Sequence, residues 1–219
     1  MPEYKSESKL RITEIFYSLQ GETSTIGLPT VFVRLTGCPL RCQYCDTEYA
    51  FSGGKWMTLS DIQSQVSQYE TSYVTVTGGE PLAQPGCLSL LSLLCDQGYQ
   101  VSLETSGALP VEDVDPRVKK IMDIKTPDSK EQEKNYWQNL EMLNTNDQIK
   151  FVICSEQDYE WSKHQLVQHK LNSLCEVLFS PSHHELDAVK LADWVLRDQL
   201  PVRFQMQLHK VLWGDQPGK

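Results

Sequence analysis

The chain has no histidine before His164, no apolar run approaching a membrane span and no basic excess, since 20 Lys and Arg stand against 29 Asp and Glu for a net charge of −9. Each shortage excludes something. A bilayer-crossing helix needs about 20 consecutive apolar residues, so no membrane span is expected. Binding the phosphate backbone needs a basic surface, so no nucleic-acid partner is expected and a small-molecule substrate fits better. The polar residues Met1 to Ser8 lack the apolar stretch of a secretory signal, and a cytoplasmic protein is expected. Seven cysteines are odd in number and 219 residues can build their own core, so a disulfide framework is not expected. With 40% hydrophobic residues and no linker or low-complexity run, a single domain over 1–219 follows.

What is present centres on Cys38-Pro39-Leu40-Arg41-Cys42-Gln43-Tyr44-Cys45-Asp46-Thr47, three cysteines in eight residues directly after the apolar run Val31 to Thr36. Thiolates are the soft ligands that iron-sulfur clusters take, and three of them leave one corner of a cubane open. The open iron can chelate an amine and a carboxylate together. A zinc knuckle would show a fourth Cys or His at a regular offset, and none stands near. Cys87, Cys95, Cys154 and Cys175 fall in apolar runs and read as small core residues.

Periodicity and punctuation then divide the chain. Strands are predicted over Ile12 to Phe16, Thr30 to Thr36, Tyr73 to Thr77, Tyr99 to Glu104, Val118 to Lys125, Gln148 to Cys154, Cys175 to Ser180 and Val202 to Leu208. Helices are predicted from a capping box at Ser60 and Gln63 to about Tyr69, over Cys87 to Gln97, Glu131 to Leu143, Glu156 to Leu171 and Leu186 to Asp198. Strands alternating with helices make parallel βαβ units, and six or so of them form a partial (β/α) barrel of the α/β class. In such barrels chemistry sits at the C-terminal ends of the strands. The cysteines, Gly78-Gly79-Glu80-Pro81, Glu104-Thr105-Ser106-Gly107, Asp123-Ile124-Lys125 and Ser180-Pro181-Ser182-His183-His184 all fall at predicted strand ends, so they should converge on one pocket.

Read singly, these motifs leave alternatives open. Two glycines before a helix are usually a tight turn, although glycine also lets backbone approach a ligand. Asp123 and Lys125, two apart on a strand, share a face and form either a solvated ion pair or a polar pair aimed at a ligand, with Ser106 adding a hydroxyl. His183 and His184 read as a surface or capping pair, and no metal is placed there.

The spacing C-x3-C-x2-C resembles that of the radical S-adenosylmethionine superfamily. Ser18 to Glu22, Arg34, Cys45-Asp46-Thr47, Thr77 to Pro81 and Glu104 to Gly107 narrow the resemblance to the 7-carboxy-7-deazaguanine synthase family, over nearly the whole chain. The resemblance implies a modified barrel and a [4Fe-4S] cluster held by Cys38, Cys42 and Cys45. S-adenosylmethionine would lie along Tyr44, Cys45, Asp46, Gly79, Ser106, Asp123, Ile124, Lys125 and Ser180, Pro181, Ser182 and His183. Mg2+ would sit on Thr47, and substrate on Leu19, Gln20, Gly21, Arg34 and Thr77. The implied reaction contracts the ring of 6-carboxy-5,6,7,8-tetrahydropterin to 7-carboxy-7-deazaguanine with loss of ammonia, in queuosine biosynthesis. It begins when a 5′-deoxyadenosyl radical takes a hydrogen from the pterin. A homodimer and an electron donor such as flavodoxin or ferredoxin are implied as well. Some relatives contact substrate with their terminal residue just after a His-Lys pair; here Val211 to Lys219 follow His209-Lys210, so that contact is not carried over. A glycyl-radical activating enzyme would share the cluster loop without the first loop and Arg34, and an electron carrier would close the cluster with a fourth ligand.

Overall fold

A computed structural model describes residues 9–216 and 218. Nine strands form one sheet: β1 (Lys9–Leu19), β2 (Pro29–Leu35), β3 (Lys55–Thr58), β4 (Tyr73–Gly78), β5 (Gln100–Thr105), β6 (Lys119–Asp123), β7 (Gln148–Ile153), β8 (Glu176–Pro181) and β9 (Arg203–Phe204). The helices are α1 (Leu59–Val66), α2 (Gly86–Asp96), α3 (Glu156–Gln168), α4 (Ala188–Arg197) and α5 (Leu208–Trp213). The strand order is β3-β1-β2-β4-β5-β6-β7-β8-β9. From β2 to β9 every neighbouring pair is parallel, as the alternating pattern requires. The sheet stays open, which is the partial barrel expected from the sequence.

The start of the chain departs from that expectation. β1 runs antiparallel to both β2 and the short edge strand β3, so the fold opens with a hairpin rather than a βαβ unit. β3 was not foreseen, because four residues carrying an exposed Trp56 give too little pattern.

The core lies outside the sheet, between it and the helices. Val31, Val33, Leu35, Val74, Val76, Val101 and Leu103 pack on Ile62, Val66, Leu90, Leu91 and Leu94. Ile149, Phe151, Ile153, Val177 and Phe179 pack on Tyr159, Leu166, Leu191, Trp194 and Val195. Strand side chains alternate across a sheet, so the intervening residues face the other way, into the lumen. Those residues are polar: Thr75 Oγ1 lies 2.8 Å from Ser102 Oγ, and Thr77 Oγ1 donates to Glu104 at 2.9 Å. The inner face of the sheet is thus polar, and the apolar residues lie on the outer face under the helices.

Three local predictions are corrected. The capping box is Thr58 and Asp61, not Ser60 and Gln63: Asp61 N donates to Thr58 Oγ1 at 3.1 Å while Thr58 N donates to Asp61 Oδ2 at 3.0 Å. Both pairs have capping chemistry, and the end of β3 decides between them. The helix predicted over Glu131 to Leu143 is instead two short 3-10 turns, Gln132–Lys134 and Trp137–Met142. Asn135 exchanges hydrogen bonds with Lys125 backbone, and buried Asn139 bonds Val111 N, Gly107 O and Leu109 O. Asparagine side chains that bond backbone elsewhere pull these residues out of helical register. The strand predicted over Val202 to Leu208 shortens to β9, after which Gln205 accepts from Thr23 N and Leu208 N reaches Gly21 O. That segment continues into α5 and joins the last strand to the first loop. Among the described residues no helix is long and apolar enough to cross a membrane.

Candidate active site

The cysteine loop leaves β2 through Gly37, whose φ of +100° suits glycine. Its N–H donates to Ala50 O at 2.7 Å and its carbonyl accepts from Glu80 N at 2.8 Å. The loop is pinned at its far side where Gln43 N donates to Ser129 O at 3.1 Å and Arg41 N to Glu131 Oε1 at 2.5 Å. The Arg41 guanidinium folds back on Cys38 O and Leu40 O and lies 4.3 Å from the Phe51 ring centre. Cys38, Cys42 and Cys45 are consequently held on one lip of the lumen, half-buried and unpaired. Burial pushes each thiol up, with the Lys125 ammonium pulling the other way at each, so a metal must displace the protons.

The donor set fits a cluster. Its three thiols are the soft donors that an iron-sulfur cluster takes, and the loop holds no fourth Cys or His to complete a zinc site. Tyr44, between two of the cysteines, has a buried hydroxyl without a hydrogen-bond partner and a ring 5.8 Å from Lys125 Nζ, leaving a polar atom for a ligand to meet. Cys87 and Cys175 lie in the apolar core and Cys154 is buried, as the sequence predicts.

Gly79 sits where almost nothing larger fits. A Cβ there would lie 2.7 Å from Cys38 Cβ and inside the van der Waals radius of Gly37 O. Glu80, which the sequence reading left without a role, is fully buried and accepts from Leu82 N, Thr105 Oγ1, Ser106 N at 2.7 Å and Ser106 Oγ at 2.5 Å. It ties the end of β4 to the end of β5 and fixes the Ser106 hydroxyl. Asp123 and Lys125 meet as predicted, with Lys125 Nζ 3.2 Å from Asp123 Oδ1, but both are largely buried rather than solvated. Burial alone would push the Lys125 ammonium down; Asp123 holds it charged. Ile124 packs its side chain in the second apolar cluster and spends its N–H on Lys150 O.

Ser180, Pro181 and Ser182 are buried at the end of β8, whereas His183 and His184 are exposed. Asp215, just beyond α5, lies 3.4 Å from His184 Nε2 and 2.9 Å from Lys210 Nζ, and Lys210 also reaches Asp46 Oδ2 at 3.7 Å. The C-terminal segment therefore spans from the cysteine loop to the β8 end. Thr47 Oγ1 donates to Asp46 Oδ1 at 2.8 Å, which sets two oxygen atoms side by side.

Deeper in the lumen, Arg34 lies opposite Glu14 on the hairpin, its Nε donating to Glu14 Oε1 at 2.7 Å beneath the rings of Phe16 and Tyr49. Neither Nη bonds a described residue, so the outer edge of the fork is free for an anion. Gln20 is committed to the fold: its amide donates to Thr75 Oγ1 at 3.1 Å and accepts from Glu22 N. Gly21 lies under the His209 ring, where a Cβ would be 3.0 Å from Cγ and closer still to Nδ1. Thr77 holds one oxygen of Glu104, a half-buried carboxyl that desolvation pushes up and the Lys150 ammonium opposes.

Glu22, Glu104 and His209 stood in segments the sequence singled out but were given no role, and Lys150 was passed over altogether. For Glu104 and Lys150 the signal was available, since a charged residue inside an apolar strand marks its lumen face. Burial would push the Glu22 carboxyl up, but Lys150 Nζ at 2.7 Å and the Gln207 amide at 2.8 Å hold it down at about 2.

The model of the Radical SAM superfamily matches residues 32–134. The 7-carboxy-7-deazaguanine synthase of Chlorobaculum tepidum is 48% identical over 95% of this chain and 96% of its own, and that of Koribacter versatilis 43% over 93% and 97%. Among solved structures, QueE from Escherichia coli superposes with a TM-score of 0.77 at 26% identity, covering 92% of this chain and 95% of that one. With three thiols on the rim of a polar lumen and relatives matched over nearly their full length, the chain belongs to the 7-carboxy-7-deazaguanine synthase family of the Radical SAM superfamily.

Proposed function

We propose that this enzyme converts 6-carboxy-5,6,7,8-tetrahydropterin to 7-carboxy-7-deazaguanine with loss of ammonia. The observation that carries the reading is the junction of two unlike surfaces in one lumen: a three-thiol rim above, and Arg34, Thr77 and Glu104 below. Cys38, Cys42 and Cys45 would hold a [4Fe-4S] cluster, which supplies the electron that cleaves S-adenosylmethionine. Tyr44, Asp46, Gly79, Ser106, the 123–125 strand end and the 180–183 loop would receive that cofactor. Arg34 presents its free Nη edge to the substrate carboxylate, and Glu104 offers the oxygen not held by Thr77 to ring N–H donors. The segment from Gln205 to Lys210, held on the first loop through Thr23, Glu22 and Gly21, covers one side of the lumen. The protein is read as a cytoplasmic homodimer reduced by a flavodoxin or ferredoxin. Anaerobic turnover of the carboxypterin, with the product identified by mass, tests the reading; 5′-deoxyadenosine forming only when a partner protein is supplied would overturn it.

Arg34→Lys should raise the KM for the carboxypterin about 10- to 100-fold, the worth of one charge-assisted bidentate pair. Lysine can keep the ion pair to Glu14 but has no second nitrogen to offer. Cleavage of S-adenosylmethionine without product should persist, because Arg34 lies below the rim. An unchanged KM would remove Arg34 from the carboxylate site.

Thr47 and Asp46 would place Mg2+ against the same carboxylate, the ion keeping most of its waters. Thr47→Ala should then lose most of the rate increase that Mg2+ gives, while Thr47→Ser, which keeps the oxygen, retains it. Rates normalised to cluster content, with and without Mg2+, decide this. Equal activation in wild type and both variants would assign Thr47 to the turn at Glu48–Ala50 alone.

A further inference from the structure

Four charges run in single file between the two ligand surfaces. Glu22 follows directly on the predicted substrate loop Leu19 to Gly21, and its Oε2 lies 2.7 Å from Lys150 Nζ. Lys150 also lies 3.6 Å from Asp123 Oδ2, and the other oxygen of Asp123 is 3.2 Å from Lys125 Nζ. Lys125 stands over the Tyr44 ring at the cofactor end. The signs alternate, and no side chain in the row is more than 15% exposed. Charges in so dry a row are screened little by solvent, so the position of each depends on its neighbours.

Lys150 is the joint. One ammonium pairs with two carboxylates that belong to different loops, the first-loop Glu22 and the β6-end Asp123, and its charge also acts on Glu104. Its distances are unequal, with Glu22 the closer partner. A shift of Glu22 as the first loop settles on substrate changes how much of the Lys150 charge Asp123 shares. Asp123 then binds Lys125 more or less tightly, and Lys125 faces the cofactor. Two ligands that each bias one shared element are thermodynamically coupled, and the coupling is reciprocal.

Resting on the proposed substrate and cofactor sites, we infer that Lys150 is a positioning residue that couples the two: bound carboxypterin tightens S-adenosylmethionine binding through the Glu22, Lys150, Asp123 and Lys125 row, and bound S-adenosylmethionine tightens the pterin equally. Both ion pairs of Lys150 are to protein carboxylates, and it acts through them. The coupling favours cofactor binding to enzyme that already holds substrate, which reduces wasted 5′-deoxyadenosine without abolishing it.

The test uses anaerobic, cluster-loaded enzyme in its unreduced state, so that both ligands bind without turnover. The Kd for radiolabelled S-adenosylmethionine is measured by equilibrium dialysis with and without saturating carboxypterin. Wild type should bind about tenfold more tightly with the pterin present, within the usual range of such couplings. In Lys150→Met the two Kd values should coincide, while Lys150→Arg, which keeps the cation, should retain most of the difference. Should Lys150→Met fail to load its cluster, Glu22→Gln cuts the same row one step away and should also bring the two values together. A tenfold difference preserved in Lys150→Met or Glu22→Gln would overturn the coupling role. So would wild type that binds both ligands with no difference between them. Wild type that binds no carboxypterin at all would instead overturn the substrate reading, which separates the two failures.

Discussion

Replacing any one of Cys38, Cys42 or Cys45 by Ala is expected to reduce iron content and visible absorbance to background after anaerobic reconstitution, and to abolish cleavage of S-adenosylmethionine. Two thiolates cannot hold a cubane on a half-exposed rim, and no fourth cysteine stands in the loop to replace the one removed. The remaining cysteines provide the comparison. Cys87 is fully buried among leucines of the first apolar cluster, and Cys175 is buried in the second. Removing either sulfur leaves a small cavity that costs about 1 kcal/mol and lowers the melting temperature by roughly 2–4 °C. Iron content should be unchanged in both. Full cluster loading of a Cys42→Ala protein, or loss of the cluster from Cys87→Ala, would reverse the assignment.

The cysteine loop was legible because its information is local: ligand spacing is written in consecutive residues, and so is the apolar strand before it. The central parallel strands were legible for a related reason, since strands covered on one face by helices keep an apolar residue at every second position. The polar residues between them carried a second message that was read only at Thr77 and at the Glu104 strand end. Thr75, Thr77, Ser102, Glu104 and Lys150 alternate with Val74, Val76, Val101, Leu103, Ile149 and Phe151, which is the pattern of a sheet with a wet inner face. Glu104 stood out with its strand-end motif but carried no role of its own, and Lys150, inside β7, passed as a strand residue.

Other features had no local signal. Gln207 bonds Glu22 across 185 positions of sequence, and Leu208 reaches Gly21 across a similar distance. No periodicity encodes such a contact, and the apolar residues near Val202 and Leu208 were read as one continuous strand. The failed helix at Glu131 to Leu143 has the opposite cause. Its composition suits a helix, but Asn135 and Asn139 serve as backbone ligands for neighbouring loops, and tertiary hydrogen bonds override a weak propensity. Glu80 shows the same limit from another side. The Gly-Gly-Glu motif was visible, yet the glutamate's function is to bind Thr105 and Ser106, which only the adjacency of β4 and β5 brings within reach.

Gly79→Ala is expected to inactivate the enzyme through the cluster loop rather than through the backbone of residue 79. Gly79 is not among the positive-φ glycines, so alanine meets no conformational penalty at that position. The obstacle is steric: the new methyl group would overlap Gly37 O and stand 2.7 Å from Cys38 Cβ, and neither is the end of a flexible side chain. Space can be made only by moving β4's end away from Gly37 or by pushing Cys38 outward. The first breaks the 2.8 Å bond from Glu80 N to Gly37 O, and the second displaces a cluster ligand. Either way the rim loses its geometry, and one Cβ's displacement is enough, because ligand sites tolerate errors of only about half an ångström. The expected result is a folded protein with iron content well below wild type and no detectable product. Gly98→Ala serves as the comparison: Gly98 has a φ of +86° and open space around its Cβ position, so alanine there should cost about 1 kcal/mol of stability and leave the cluster intact. If Gly79→Ala loads a full cluster and turns over normally, the close approach of the two loops has no part in holding Cys38, and the rim must be positioned by the Gln43 and Arg41 anchors alone.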